Sequence, residues 1–108
     1  MVSKAFVYRI SSPKEIYSCL EKMNLKIRES RIFIKPNIVV PAKPKTGIVS
    51  DPEMVKEIIH FLRDKGFDEI IIGEAPGLKV DADEAFNVSG FARLAEEENV
   101  KLINLNNE

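Results

Sequence analysis

The pattern of the chain predicts an α/β fold, a three-layer sandwich with a mainly parallel four-stranded sheet and helices on both faces. Three observations carry this expectation. Strand-like apolar runs alternate with amphipathic helical stretches along the chain. The middle strands are apolar at successive positions, as strands covered on both sides are. A helix-start signature of Ser, Pro and Glu occurs twice, at Ser12-Pro13-Lys14-Glu15 and at Ser50-Asp51-Pro52-Glu53.

Each element follows in order. Lys4 to Ile10 has the β-branched and aromatic content of a first strand. Ser12 then caps a helix with Pro13 at its first position, and Ile16, Cys19, Leu20 and Met23 repeat at helical spacing on its buried side. Cys19 lies within that stripe and reads as an inert core thiol. Arg31-Ile32-Phe33-Ile34 is the second strand. A long connection from Lys35 to Ser50 follows, with three lysines and three prolines. Ser50 is expected to cap the second helix, whose buried face is Val55, Ile58, Ile59 and Leu62, and Gly66 ends it. Asp68 to Gly73 is the third strand. A second loop runs from Gly73 to Asp81, then a short helix from Ala82 breaks at Ser89-Gly90 and resumes at Phe91. Val100 to Leu105 is the fourth strand.

The bulk numbers narrow the function classes. A chain of 108 residues, 44% hydrophobic and 31% charged, is long enough to bury one core and is expected to be a single domain, 1–108. Sixteen basic against 17 acidic groups give a formal charge of -1, so no global field points to nucleic acid or to a membrane surface. No apolar run approaches the roughly 20 residues that span a bilayer. The first residues lack a signal-peptide layout, and a cytoplasmic location is expected. With one Cys and one His, an iron–sulfur centre, a Cys-based metal site and a Cys–His nucleophilic pair are not expected within the chain. Abundant Lys and Glu without any Gln is a thermophile tendency, which the Asn residues weaken.

Function is expected where two loops leave the carboxyl ends of neighbouring strands, since ligands of open parallel sheets bind there. Long loops without secondary structure are uncommon in compact domains and are usually functional or disordered, and prolines argue against floppiness here. Lys35 and Glu74 occupy equivalent positions at the ends of the second and third strands. They read either as a purely structural ion pair or as a cation for an anionic ligand with its orienting carboxylate. Asn37 suits ligand holding or loop bracing. Ser50, behind Thr46-Gly47, offers the start of the second helix as a second anion site, although its own capping box competes for the same amides. Lys43 and Lys45 add positive charge that surface lysines usually leave to solvent. His60 is expected to be structural, and Asp81 with Asp83 and Glu84 to serve a helix start. No nucleotide-loop or His-Glu-x-x-His motif is present.

Ile34-Lys35-Pro36-Asn37, the proline-rich stretch to Thr46-Gly47, Ser50-Asp51-Pro52-Glu53 and Ile70 to Gly77 together resemble the domain of unknown function family 362. The resemblance extends over nearly the whole chain and to the N-terminal portion of that family. Lys35, Pro36, Asn37, Thr46, Gly47, Pro52, Gly73 and Gly77 are the positions that map onto its motifs. Some members carry ferredoxin-like cysteine clusters; this chain has none, so a redox role is not carried over.

Two functions are therefore expected. One is a phosphate or carboxylate crevice formed by Lys35, Asn37, Thr46, Gly47, Ser50, Glu74 and Gly77, with no catalytic residue assigned and no metal. The other is a binding or assembly module, or a fragment, whose 36–50 loop meets a second copy, another subunit or a missing domain. Ile38, Val39, Val40, Ile48 and Val49 would be its contact surface, because bare apolar patches usually mark contacts.

Overall fold

The computed structural model describes residues 5–107. Its elements in order are α1 (Glu15–Lys22), β1 (Arg31–Ile34), α2 (Pro52–Asp64), β2 (Glu69–Glu74), α3 (Ala82–Ser89), α4 (Phe91–Glu98), β3 (Lys101–Asn104) and a closing 3-10 turn (Leu105–Asn107). The architecture is α/β with a parallel sheet. β1 pairs with β2 with Ile34 opposite Ile72, and β2 pairs with β3 with Ile72 opposite Leu102, both in parallel.

Among the described residues the sheet has three strands in the order β1-β2-β3, where four were expected. Residues 5–10 make no ladder, and Lys4 lies outside the described residues. Strand-forming composition is a preference for a half-buried pleated surface, and Phe6, Val7 and Tyr8 are all exposed. The expected three layers also reduce to two. Ile32, Ile34, Ile70, Ile72 and Leu102 join one core with side chains from all four helices. The alternate residues Phe33, Ile71 and Ile103 stand outside that core. Crossovers of one hand that step through the sheet in a single direction place their helices on one face, which accounts for the arrangement. On the open face Phe33 lies over Gly73, where an added Cβ would stand 2.6 Å from the Phe33 ring and 2.9 Å from Ile103.

Helix starts differ from expectation in detail. Asp51, not Ser50, caps α2, accepting the Glu53 N–H at 3.0 Å with Pro52 at the first helical position. α1 begins at Glu15 without a side-chain cap from Ser12. Glu15 instead reaches back to the N–H of Ser12 at 3.2 Å, which is one half of a capping box. Asp81 caps α3 through the Glu84 N–H at 3.2 Å, and Gly90, at φ 87, turns the chain between α3 and α4. His60 holds α4 against α2 through Glu98 at 2.5 Å, and Arg63 bonds the Glu98 backbone carbonyl as well. That contact places a cation on the negative end of the α4 dipole.

Candidate functional site

Both anomalous loops leave carboxyl ends of adjacent strands, β1 and β2. Glu74 ends β2 on the helix-covered side of the sheet, where Ile70 and Ile72 precede it at alternate positions, and is 2% exposed. Burying a carboxylate is costly unless it is paired and hydrogen-bonded. Here one oxygen accepts the Ile38 N–H at 3.0 Å, and the other accepts the Ala75 N–H at 2.8 Å and Lys35 Nζ at 2.8 Å. Burial pushes the Glu74 carboxyl up. The Lys35 hydrogen bond, the two backbone amides and the Lys35 charge together outweigh it and hold the group below its ordinary range. Lys35 differs from its partner, with a side chain 58% exposed. Its side chain is therefore anchored at one point through the ammonium and more than half open to solvent.

The 35–50 loop is closed by its own polar groups. The Ser50 N–H donates to the Asn37 carbonyl at 2.9 Å, and the Asn37 N–H donates to Ser50 Oγ at 2.8 Å. Asn37 Nδ2 donates to the Ile48 carbonyl at 3.2 Å. Thr46 bonds within its own turn: its hydroxyl donates to the Lys43 carbonyl at 2.9 Å and accepts the Ile48 N–H at 3.3 Å. The second loop is stitched to the first where the Gly77 N–H donates to the Val39 carbonyl at 2.9 Å. An added Cβ at Gly77 would meet that same carbonyl oxygen at 3.3 Å, so only Gly fits without displacement. Gly47, at φ 82, has open space around it.

Of the seven residues singled out by sequence, the structure joins Lys35 to Glu74, Asn37 to Ser50, and Gly77 to the loop that begins at Lys35. Thr46 and Gly47 shape a separate turn further along. Asn37, Thr46 and Ser50 direct polar atoms into the loop itself, which is the bracing role. The start of α2 is also partly occupied, because the Asp51 carboxylate stands at the positive end of the helix dipole.

The aliphatic set divides. Ile38 and Val49 are buried in the core, whereas Val39, Val40 and Ile48 are exposed. Sequence reasoning missed Leu78, which is 97% exposed in the second loop, one residue from the Gly77–Val39 contact. Its signal was an apolar side chain set between Gly77 and Lys79. Sequence also missed that each loop holds a lysine in the left-handed region, Lys45 at φ 67 and Lys79 at φ 63. Non-glycine residues are uncommon there and cost about 1–3 kcal/mol. Among the described residues, no three of His, Cys, Asp and Glu gather as a group that would hold a metal ion, and no helix is long and apolar enough to cross a membrane.

A family model, Domain of unknown function (DUF362), matches residues 32–108, a span that contains all of the sheet but Arg31, both loops and every residue of the candidate site. No curated protein and no solved structure matches the chain.

Proposed function

The chain belongs to the DUF362 family, and we propose that it binds a small anion, a phosphate or a carboxylate, at the carboxyl ends of β1 and β2. The observation that supports this reading is the asymmetry of the Lys35–Glu74 pair: a buried carboxylate with both oxygens hydrogen-bonded holds the ammonium of a lysine whose side chain remains 58% exposed. A cation positioned in advance loses less freedom when a ligand arrives. Lys35 supplies the charge and Glu74 orients it. Asn37, Ser50 and Gly77 fix the path of the backbone, and Thr46 with Gly47 forms the outer turn.

Thermal unfolding in increasing phosphate, and separately in acetate, tests this. A ligand that binds only the folded chain adds about 2.7 kcal/mol of stability at one hundred times its dissociation constant. Lys35→Ala should abolish the gain. If Lys35→Ala and Glu74→Ala lower stability alike and leave the anion dependence untouched, the pair is structural only.

A second reading, a binding or assembly module, has its own support. Val39, Val40, Ile48 and Leu78 are exposed aliphatic residues on two loops at one end of the sheet. On this reading the loops meet a partner chain or a further domain. Sedimentation of the chain across a wide concentration range, compared with Val40→Ser and Leu78→Ser, tests the homo-oligomeric case: concentration-dependent mass that both substitutions remove supports it, and a monomer throughout counts against it.

A further inference from the structure

Residues 5–10 and the outer side of β1 present complementary gaps. Among the described residues β1 pairs with β2 alone, so there one row of its backbone amides and carbonyls has no strand beside it. Residues 5–10 have strand-forming side chains and no ladder. Phe6 and Tyr8, two positions apart, stack their rings parallel at 6.3 Å, a spacing that suits neighbouring side chains on one side of an extended segment. Val7, on the alternate side, is 95% exposed.

The path of the chain brings the two together. Ile10 to Pro13 share a hollow with Asp51 and Met54, at the start of α2 and hence at the carboxyl end of the sheet. Leu20, Asn24 and Leu25 share another with Phe61 and Phe67 at the opposite end of α2. α1 therefore runs in the same direction as α2. It packs on one flank of α2 through Tyr17, which meets Phe61 edge-on at 5.6 Å and bonds Asp64. α4 takes another flank, through His60 and Arg63. Since α4 leads to β3, α1 lies on the β1 side of the sheet. A segment that enters α1 at the carboxyl end and occupies the place beside β1 completes a right-handed strand–helix–strand unit, the strongly preferred hand. Four residues join Ile10 to Glu15, an ordinary length for such a connection.

We propose that residues 5–10 are a latent edge strand that docks, parallel, on the free side of β1 of the same chain. Ile10 already lies near Met54, so Phe6, Tyr8 and Ile10 form the side that turns toward the helices. Docking covers an exposed sheet edge. It also brings the Ser11–Ser12 turn to the carboxyl end beside Lys35, adding a third loop to the two that leave β1 and β2.

Amide hydrogen exchange of the full chain, read residue by residue by NMR, tests it. Docking predicts that alternate amides of residues 6–10, and the β1 amides pointing away from β2, exchange on the order of tenfold or more slowly than an unstructured segment. Val7→Pro and Tyr8→Pro, made separately, cover both alternate positions, because proline removes a ladder donor. One of them should release both sets of amides together while β2 stays protected, which also shows that the core is folded. Unprotected exchange at residues 6–10 in the parent chain overturns the proposal. So does β1 protection indifferent to both substitutions. Protection that grows with protein concentration overturns it as well, by assigning the strand to a second copy.

Discussion

Asn37 and Ser50 hold each other across the neck of the 35–50 loop, the Asn37 N–H on Ser50 Oγ at 2.8 Å and the Ser50 N–H on the Asn37 carbonyl at 2.9 Å. Ser50→Ala removes one of these bonds, and Asn37→Ala removes the amide bond to the Ile48 carbonyl. Each should cost about 1 kcal/mol. Because both act on one closure, the double variant should lose less than the sum of the two. Urea unfolding midpoints of the three variants check this.

Glu74 links stability to acid. Its carboxyl is held below its ordinary value of 4.5, so the folded state binds its proton less readily than the unfolded chain. The stabilisation is present above about pH 4.5 and fades as the pH falls through the lower folded value. Glu74→Gln should flatten that acid-side fall when unfolding is followed from pH 7 downward. Glu74→Ala should cost about 2–4 kcal/mol at neutral pH, since the amides of Ile38 and Ala75 lose their acceptor.

Tyr17 sets an alkaline counterpart. Its hydroxyl donates to Asp64 at 2.5 Å, and that bond, followed by burial and the charges of Asp64 and Glu21, raises its pKa to about 12. A raised folded value means the contribution is complete below pH 10 and disappears as the pH rises through about 12. Absorbance titration of tyrosinate should show a step near that pH which Tyr17→Phe removes.

Gly73→Ala should destabilise by about 1–3 kcal/mol, because the new methyl would stand 2.6 Å from the Phe33 ring. Phe33 is 48% exposed and has room to yield. In the Phe33→Ala background the same substitution should cost less, with the 2.9 Å approach to Ile103 left as the remaining clash. A double-mutant cycle in denaturant reads the difference.

Where contacts are local, the sequence was a good guide. β1 lies at Arg31–Ile34 as its residues indicate, and the break between α3 and α4 falls at Gly90. The Lys35–Glu74 pair was legible because both residues end apolar runs. Long-range competition was not legible. Ser50 looks like a cap until Asn37, thirteen positions earlier, takes its hydroxyl and Asp51 does the capping. Continuous apolar strands suggested two covered faces, yet such a run does not reveal which neighbours fold over each side. Ile38 and Val39 are adjacent and equally aliphatic, but only the first points into the core.

The open side of the sheet gives the strands two different mutational grammars. Ile32, Ile34, Ile70 and Ile72 sit in the core, and polar replacements there should be purged by misfolding alone. Phe33, between Ile32 and Ile34, and Ile103, next to the core-packed Leu102, stand outside that core, so folding of this chain by itself should tolerate Thr, Lys or Gln at those positions. A saturation library sorted for folded protein should therefore show a two-residue rhythm of intolerance along β1 and β3. Sorted instead for function, a second selection that restores intolerance at Phe33 and Ile103 would reveal a constraint additional to stability, written into the solvent side of the strands.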